Sequence, residues 1–225
     1  MPFPTYSFAA RTINSSVTVN KVLRKTYFLL SLTLVFSSLT AFYGIVTNAR
    51  PTGFFTLIGM FGLLFLTQFL RNSKWGLVST FAFTGFMGYT LAPLLNMYLH
   101  NFPNGGTLIM TSLAGTGVIF LALSSYVLIT RKDFSYLGGL LFAGITVAFL
   151  LSLLGFFFNM PILQIFVSGA FMLLCSALIL FHTSQIIHGG EDNYIMATIS
   201  LYVALFNIFV SLLNILGFFA GGNRN

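Results

Sequence analysis

The residues most able to do chemistry lie in one polar stretch late in the chain, residues 181–194. This stretch holds two of the three histidines, His182 and His188, and two of the three acidic residues, Glu191 and Asp192. Imidazoles and carboxylates can bind a metal ion, and a histidine beside a carboxylate can change its charge near neutral pH. The residue types therefore admit a metal site, a pH-sensing cluster or, more simply, the capped ends of two helices.

Helix capping is the interpretation that we favour for this stretch. Glu191, Asp192 and Asn193 directly precede a long apolar run, and carboxylates and amides stabilise the positive N-terminal end of a helix. Gly189 and Gly190 suit the end of the preceding helix, because glycine readily adopts the left-handed backbone conformation found there.

We also expect this stretch to form the functional ionisable cluster of the chain, without a bound metal. Because the two glycines let the chain fold back, the imidazole of His182 could approach a carboxylate or the amide of Asn207 in the following helix. The predicted cluster consists of His182, His188, Glu191, Asp192, Asn193 and Asn207.

Two further polar sites interrupt the apolar sequence. Pro93 lacks an amide hydrogen and should kink a helix, and the amide of Asn96, one turn later, could bond a freed carbonyl. Arg131, Lys132 and Asp133 form a charged turn. Its cations would anchor the chain at the membrane surface, and Asp133 or Ser135 would cap the next helix.

Familiar enzyme motifs are absent from the sequence. Every lysine lies at the edge of an apolar run, which excludes the Schiff-base lysine of a retinal protein. No aspartate lies inside a run, as an intramembrane aspartyl protease requires. The sequence also lacks an HExxH zinc motif, a phosphate-binding glycine loop and a GxGxxG dinucleotide motif. We therefore predict no catalytic residue, no cofactor and no enzyme activity.

Long apolar runs separate these polar residues, and all ten basic and all three acidic side chains lie outside the runs. About 20 apolar residues in an α-helix cross the roughly 30 Å hydrocarbon core of a membrane. Lipid offers the backbone no hydrogen-bond partner, so each run is predicted to be a helix. The fold class is therefore an all-α integral membrane protein with seven transmembrane helices. The seven runs are Tyr27–Thr47, Gly53–Leu70, Trp75–Leu99, Thr107–Thr130, Tyr136–Asn159, Ile162–His182 and Tyr194–Ala220.

The positive charges predict how the helices are oriented. The net charge is +7, and eight of the ten Lys and Arg residues precede the first run or follow the second and fourth runs. In a seven-helix chain these segments lie on one side, and positive residues stay on the cytoplasmic side of a membrane. We therefore predict a cytoplasmic N-terminus and a periplasmic C-terminus. The charge is interpreted as a topology signal and not as a sign of nucleic-acid binding.

This arrangement predicts one membrane domain, residues 26–220, between a cytoplasmic tail, residues 1–25, and a short C-terminal tail, residues 221–225. The N-terminal tail is polar and is expected to be flexible, and if stretched it could reach about 3.3 Å per residue. In the fifth run Gly144, Ala148 and Ser152 form a ridge of small residues that lets another helix approach closely. We expect the ridge to pack within the chain, with a homodimer face as the alternative.

Several segments resemble the Bax inhibitor-1 family of seven-helix membrane proteins. They are residues 21–32, 82–89 and 130–139 and, most specifically, residues 186–195, 200–203 and 207–213. The last three read IIHGGEDNYI, SLYV and NIFVSLL. The resemblance extends from about Lys21 to Gly217, so it reaches into all seven runs.

The resemblance implies a function as well as a fold. It is closest to the bacterial YccA-type branch of the family, the modulators of the membrane protease FtsH, which implies an inner-membrane protein that binds and restrains this protease. Many members of the wider family are described as pH-sensitive calcium leak channels, with one Asp at the end of helix six and another in helix seven. His182 and Ala204 stand at those positions here. An ion leak channel for calcium or protons is therefore the alternative function.

Overall fold

The fold consists of α-helices joined by short turns. The computed structural model describes residues 6–51, 53–158 and 160–222, and this part of the chain contains no β-strand. The helices are α1 (Tyr6–Val46), α2 (Phe54–Leu70), α3 (Trp75–Asn101), α4 (Gly105–Thr130), α5 (Leu137–Phe157), α6 (Pro161–Ile187) and α7 (Tyr194–Gly222). An all-helical fold was predicted from the apolar runs, and it is confirmed.

Six of these helices are long and apolar enough to cross a membrane, and α2 is the exception. The six are α1 from Val19 onward and α3 to α7. Helix α2 is apolar but has only 17 residues. At about 1.5 Å per residue it is roughly 25 Å long, slightly less than a hydrocarbon core.

Contacts between α1 and α3 show the direction in which α2 crosses the bundle. Phe36 packs edge-to-face on Phe81 with ring centroids 5.5 Å apart. Farther along both helices, the side-chain amide of Asn96 lies 3.5 Å from the carbonyl oxygen of Ile45. Because these contacts advance in the same direction, α1 and α3 are parallel. Helix α2 therefore carries the chain back along the length of the bundle.

The remaining helices continue this alternation in direction. Helix α7 is parallel to α3, since Tyr202 contacts Thr84 and Asn214 contacts Tyr98. The turns after α2, α4 and α6 therefore lie at the same end of the bundle as the start of α1. We call this the cation-rich end, because these segments carry eight of the ten Lys and Arg residues.

Helix α7 is the centre of the bundle. It packs against α1, α3, α4 and α6, whereas α2 packs mainly on α3 and α5 mainly on α6. The side chains of Leu201, Ala204, Ile208 and Leu213 are completely buried along α7. The apolar surface that α7 buries holds the five inner helices together.

The ridge of small residues in α5 packs within the chain, as expected. A Cβ atom added at Gly144 would lie 2.7 Å from Cδ2 of Leu174 in α6. Ala148, one turn later, is buried. Helix α6 therefore uses this ridge, and a homo-oligomer stays a prediction.

Residues 6–25, which were expected to form a flexible tail, are helical. Their backbone is the first part of α1, which begins at Tyr6. No glycine or proline interrupts the sequence from Tyr6 to Tyr43, so nothing in this segment breaks a helix that starts there. A helix advances about 1.5 Å per residue, less than half the reach of an extended chain. The first five residues, and residues 223–225 of the C-terminal tail, lie outside the described residues.

Candidate functional site: three joined turns at the cation-rich end

Asn193 caps α7 and joins two turns. Its side-chain oxygen accepts hydrogen bonds from the backbone N–H groups of Ile195, at 3.0 Å, and of Met196, at 3.3 Å. Its amide nitrogen donates to the carbonyl of Arg71, at 3.1 Å, and to the side-chain oxygen of Asn72, at 3.0 Å. One side chain therefore starts the central helix and attaches the α2–α3 turn to it.

Glu191 supports this cap and does not cap the helix itself. One of its carboxylate oxygens accepts a hydrogen bond from the backbone N–H of Asn193 at 2.9 Å. The neighbouring Asp192 is exposed to solvent. Capping of α7 was predicted for the three residues together, and the structure gives the direct role to Asn193.

Ser184, near the end of α6, joins the α4–α5 turn to the same end of the bundle. Its hydroxyl accepts a hydrogen bond from the backbone N–H of Phe134 at 2.9 Å. It also lies 3.4 Å from a carboxylate oxygen of Asp133 and 3.3 Å from Nδ1 of His188. A second link comes from Gln185, whose amide donates to the hydroxyl of Ser135 at 2.8 Å.

The end of α6 is closed by its own backbone. The carbonyl of Gln185 accepts hydrogen bonds from the N–H groups of Gly190, at 2.8 Å, and of Glu191, at 3.2 Å. This geometry needs a left-handed residue, which Gly189 provides with φ of +75°. The helix exit predicted for the two glycines is confirmed, although α6 ends at Ile187, five residues beyond the predicted His182.

The surroundings of Asp133 favour its charged form. The hydroxyl and the backbone N–H of Ser135 donate to its exposed carboxylate and hold the pKa of Asp133 below its ordinary value. The charge of His188 acts in the same direction. The negative charge of Asp133 is thus stabilised where Arg131 and Lys132 begin the turn.

The predicted cap of α5 is wrong. The N-cap residue of α5 is Tyr136, and no side chain bonds the first N–H groups of this helix. Asp133 instead bonds the N–H of Ser135 at 2.8 Å, two residues ahead. Aspartate favours this local turn. Its carboxylate therefore bonds within the turn and not to the first N–H groups of α5.

His182 and Asn207 do not join the three turns. His182 lies half-buried within α6 and packs edge-to-face on Phe181, with ring centroids 5.2 Å apart. Among the described residues its ring makes no hydrogen bond. Asn207 donates to the carbonyl of Val203, one turn back in its own helix, at 2.8 Å. Of the six residues predicted as a cluster, the turns therefore contain His188, Glu191, Asp192 and Asn193.

At the site around Pro93 the partner of Asn96 differs from the prediction, and the kink stays a prediction. Helix α3 continues through Pro93 to Asn101. Because Pro93 has no N–H, the carbonyl of Tyr89, four residues earlier, has no helical hydrogen-bond donor. This carbonyl faces α1, where a Cβ atom added to Gly44 would lie 3.3 Å from its oxygen. The amide of Asn96 points to the carbonyl of Ile45 in α1 and not to a carbonyl of its own helix. The carbonyl freed by Pro93 and the amide of Asn96 thus both lie at the contact between α1 and α3.

A buried hydroxyl in the centre of the bundle was not predicted from the sequence. The hydroxyl of Tyr202 in α7 donates to the carbonyl of Thr84 in α3 at 3.2 Å and lies 2.6 Å from the hydroxyl of Ser37 in α1. Tyr202 is completely buried. The signal available was a tyrosine in the middle of an apolar run, because a buried hydroxyl needs a partner.

The joined turns form a closed polar surface at this end of the bundle. In the described part of the chain, no three His, Cys, Asp or Glu side chains lie close enough to hold a metal ion. The polar groups bond one another and the ends of four helices, which fixes the turns in place. Such a surface can hold the helix ends together and can be recognised by another protein.

Comparison with known proteins identifies the family. The family model described as "Inhibitor of apoptosis-promoting Bax1" matches residues 19–221. The "Modulator of FtsH protease YccA" of Escherichia coli is 53% identical over 205 residues, which are 91% of this chain and 93% of that protein. An uncharacterized protein of Pseudomonas aeruginosa is 55% identical, over 94% of this chain and 96% of its own length. An uncharacterized membrane protein of Vibrio cholerae is 41% identical, over 92% and 93%. The chain therefore belongs to the Bax inhibitor-1 family.

Proposed function

We propose that this chain is an inner-membrane protein that binds an FtsH-type protease and restrains its degradation of other membrane proteins. The observation that carries the proposal is the 53% identity, over nearly the full length of both chains, to the Escherichia coli protein named as a modulator of that protease. A relative from another Escherichia coli strain, also 53% identical over 205 residues, is named "Inner membrane protein YccA".

The proposal includes seven membrane crossings with the N-terminus in the cytoplasm. The parallel arrangement of α1 and α3 supports the seventh crossing, because α2 must return the chain between them. The gathering of cations at one end of the bundle supports the orientation, since positive residues stay on the cytoplasmic side. The three joined turns then face the cytoplasm, as does the start of α1.

The closed turns limit what a protease could grip from the cytoplasm. An ATP-driven protease pulls on an exposed end of a chain. The turns Arg71–Lys74, Arg131–Tyr136 and His188–Asn193 are short and bonded to neighbouring helices. The start of α1, which extends beyond the membrane-spanning part at Val19, is the end that remains for engagement.

The same helix is held firmly inside the bundle. The hydroxyl of Tyr27 donates to Ser124 in α4 at 2.9 Å. The carbonyl of Thr26 lies 3.3 Å from the hydroxyl of Thr198 in α7. Pulling on α1 must break these contacts before any later helix is released. The chain would therefore occupy the protease for a long time, during which the protease cannot degrade other substrates.

Deleting Phe3–Asn20 tests this mechanism. The deletion removes the end that the protease would grip and should weaken the chain's restraint of proteolysis. The matched control replaces the same residues with a polar Gly/Ser segment of equal length, which should retain most of the effect if an accessible end is what matters. The mechanism is wrong if the deleted chain restrains proteolysis as well as the intact one.

No observation favours the leak channel as a second function. All three acidic residues lie between helices, so the described helices contain no carboxylate. The alternative is still open to a direct test with the purified chain in liposomes that hold a calcium or proton dye. We expect no pH-gated flux, whereas a flux that disappears in His182→Ala would favour the channel over the modulator.

A further inference from the structure

One face of α1 combines three cations with a long apolar stripe. Lys21, Arg24 and Lys25 lie on it within about one turn, and Phe28 follows one turn later. All four side chains are exposed. The stripe then continues toward the other end of the bundle at alternating spacings of four and three residues: Phe28, Leu32, Val35, Leu39, Phe42 and Val46. These six side chains are between 43% and 67% exposed.

The cations on this face have no acidic partner. Among residues whose side chains the structure describes, none of the three forms an ion pair with a carboxylate. Lys25 has one polarisable neighbour, with its Nζ 5.1 Å from the ring centre of Tyr194 at the start of α7. Three positive charges thus remain for an anion from outside the chain.

The position of the cations relative to the apolar stripe defines the shape of that anion. From Phe28 to Leu39 the stripe is about 16 Å long, roughly half the thickness of a hydrocarbon core. A phospholipid presents a negative phosphate directly above an acyl chain of about that reach. We propose that this face of α1 binds an anionic phospholipid of the leaflet at the cation-rich end, with its phosphate on Lys21, Arg24 and Lys25 and an acyl chain along Phe28, Leu32 and Val35.

The composition of the stripe argues for lipid and against a partner helix. Helices that pack closely in membranes use Gly, Ala, Ser and Thr at the contact. This stripe contains only large aromatic and aliphatic residues. Bulky flexible side chains suit the irregular surface of acyl chains, and the unpaired cations suit a headgroup.

Native mass spectrometry of the intact chain tests the proposal. The chain is released from detergent micelles that contain equal amounts of phosphatidylglycerol and phosphatidylcholine, and the retained lipid is counted. Each cation should contribute roughly fivefold to the preference for the anionic lipid, so the three together contribute on the order of 100-fold. The variant Lys21→Gln/Arg24→Gln/Lys25→Gln should lose most of this preference.

Two control variants separate the site from general surface charge and from misfolding. Arg71→Gln/Lys74→Gln/Arg131→Gln removes three exposed cations from the same end of the bundle and should keep the preference. Lys21→Arg/Lys25→Arg retains the charges and should keep it too. Equal losses in both glutamine variants would overturn the proposal, because the effect would then be one of net charge.

Two further outcomes would also overturn it. If glycerol phosphate, which has no acyl chain, displaces the lipid completely at millimolar concentration, the site recognises phosphate alone. If Lys21→Gln/Arg24→Gln/Lys25→Gln keeps its lipid preference but no longer copurifies with the membrane protease, this face of α1 is a protein contact.

Discussion

The hydroxyl of Tyr202 allows a sharp test of how the central helices are joined. Tyr202→Phe removes only this hydroxyl, and the ring still packs edge-to-face on Phe83, with centroids 6.2 Å apart. The substitution deletes the hydrogen bond to the carbonyl of Thr84 and leaves the hydroxyl of Ser37 without its partner in α7. It therefore weakens the contacts of α7 with α1 and α3 without opening a cavity.

The magnitude follows from the number of hydrogen bonds lost. A hydrogen bond inside a protein contributes about 0.5–1.5 kcal/mol net, and measured values inside membranes average about 0.6 and reach about 1.7 kcal/mol. Two lost bonds should lower the free energy of unfolding by about 1–2 kcal/mol. Ser37→Ala should cost less, because the Tyr202 hydroxyl can still donate to Thr84. The coupling energy of the double variant should lie between about 0.6 and 1.7 kcal/mol.

Reversible unfolding in mixed detergent micelles is the assay. Tyr43→Phe is the matched control, because Tyr43 lies on α1 with 64% of its side chain exposed, and it should leave the unfolding free energy unchanged. If Tyr202→Phe and Tyr43→Phe give the same unfolding free energy, the buried hydroxyl does not join the three helices.

Three other substitutions test particular contacts. Gly88→Ala would drive a Cβ atom into the carbonyl of Ser37, which cannot move away. It should lower the unfolding free energy by about 1–3 kcal/mol. Gly62→Ala, with open space around the added atom, should leave it unchanged or raise it by up to about 1 kcal/mol in the same assay. Asn193→Ala should cost about 0.5–2 kcal/mol and speed hydrogen exchange in the α2–α3 turn, and unchanged exchange there would contradict the proposed link. The lowered pKa of Asp133 means that its carboxylate stabilises the fold above about pH 4 and that this contribution disappears as pH falls through the folded-state pKa. Asp133→Asn should therefore flatten the acid limb of a stability profile, and an unchanged limb would contradict this.

The helices were predictable because a membrane imposes one strong rule on the sequence. Lipid forces the backbone into helices, so the apolar runs match α2 to α7 closely. Polarity is a poor guide where a helix leaves the membrane. Helix α6 continues past His182 to Ile187, and in this polar last part the hydroxyl of Ser184 bonds the N–H of Phe134 in the α4–α5 turn. The polar start of α1 resembled a tail because polarity alone does not distinguish an exposed helix from an extended chain.

The site was only partly predictable because its partners are distant in sequence. Asn193 was identified as a cap from the apolar run that follows it, which is local information. Its bond to Asn72 joins residues 121 positions apart, and only the packing of α3 beside α7 brings them together. Tyr202 stands in a segment that carries the family resemblance, yet its partners depend on the crossing of three helices.

The most direct test of the proposed function is the rate at which an FtsH-type protease, reconstituted in membranes, degrades a second membrane protein. Increasing amounts of the intact chain should slow this degradation, and the chain should copurify with the protease from the same membranes. An unchanged rate at all amounts of the chain, together with no copurification, would contradict the account.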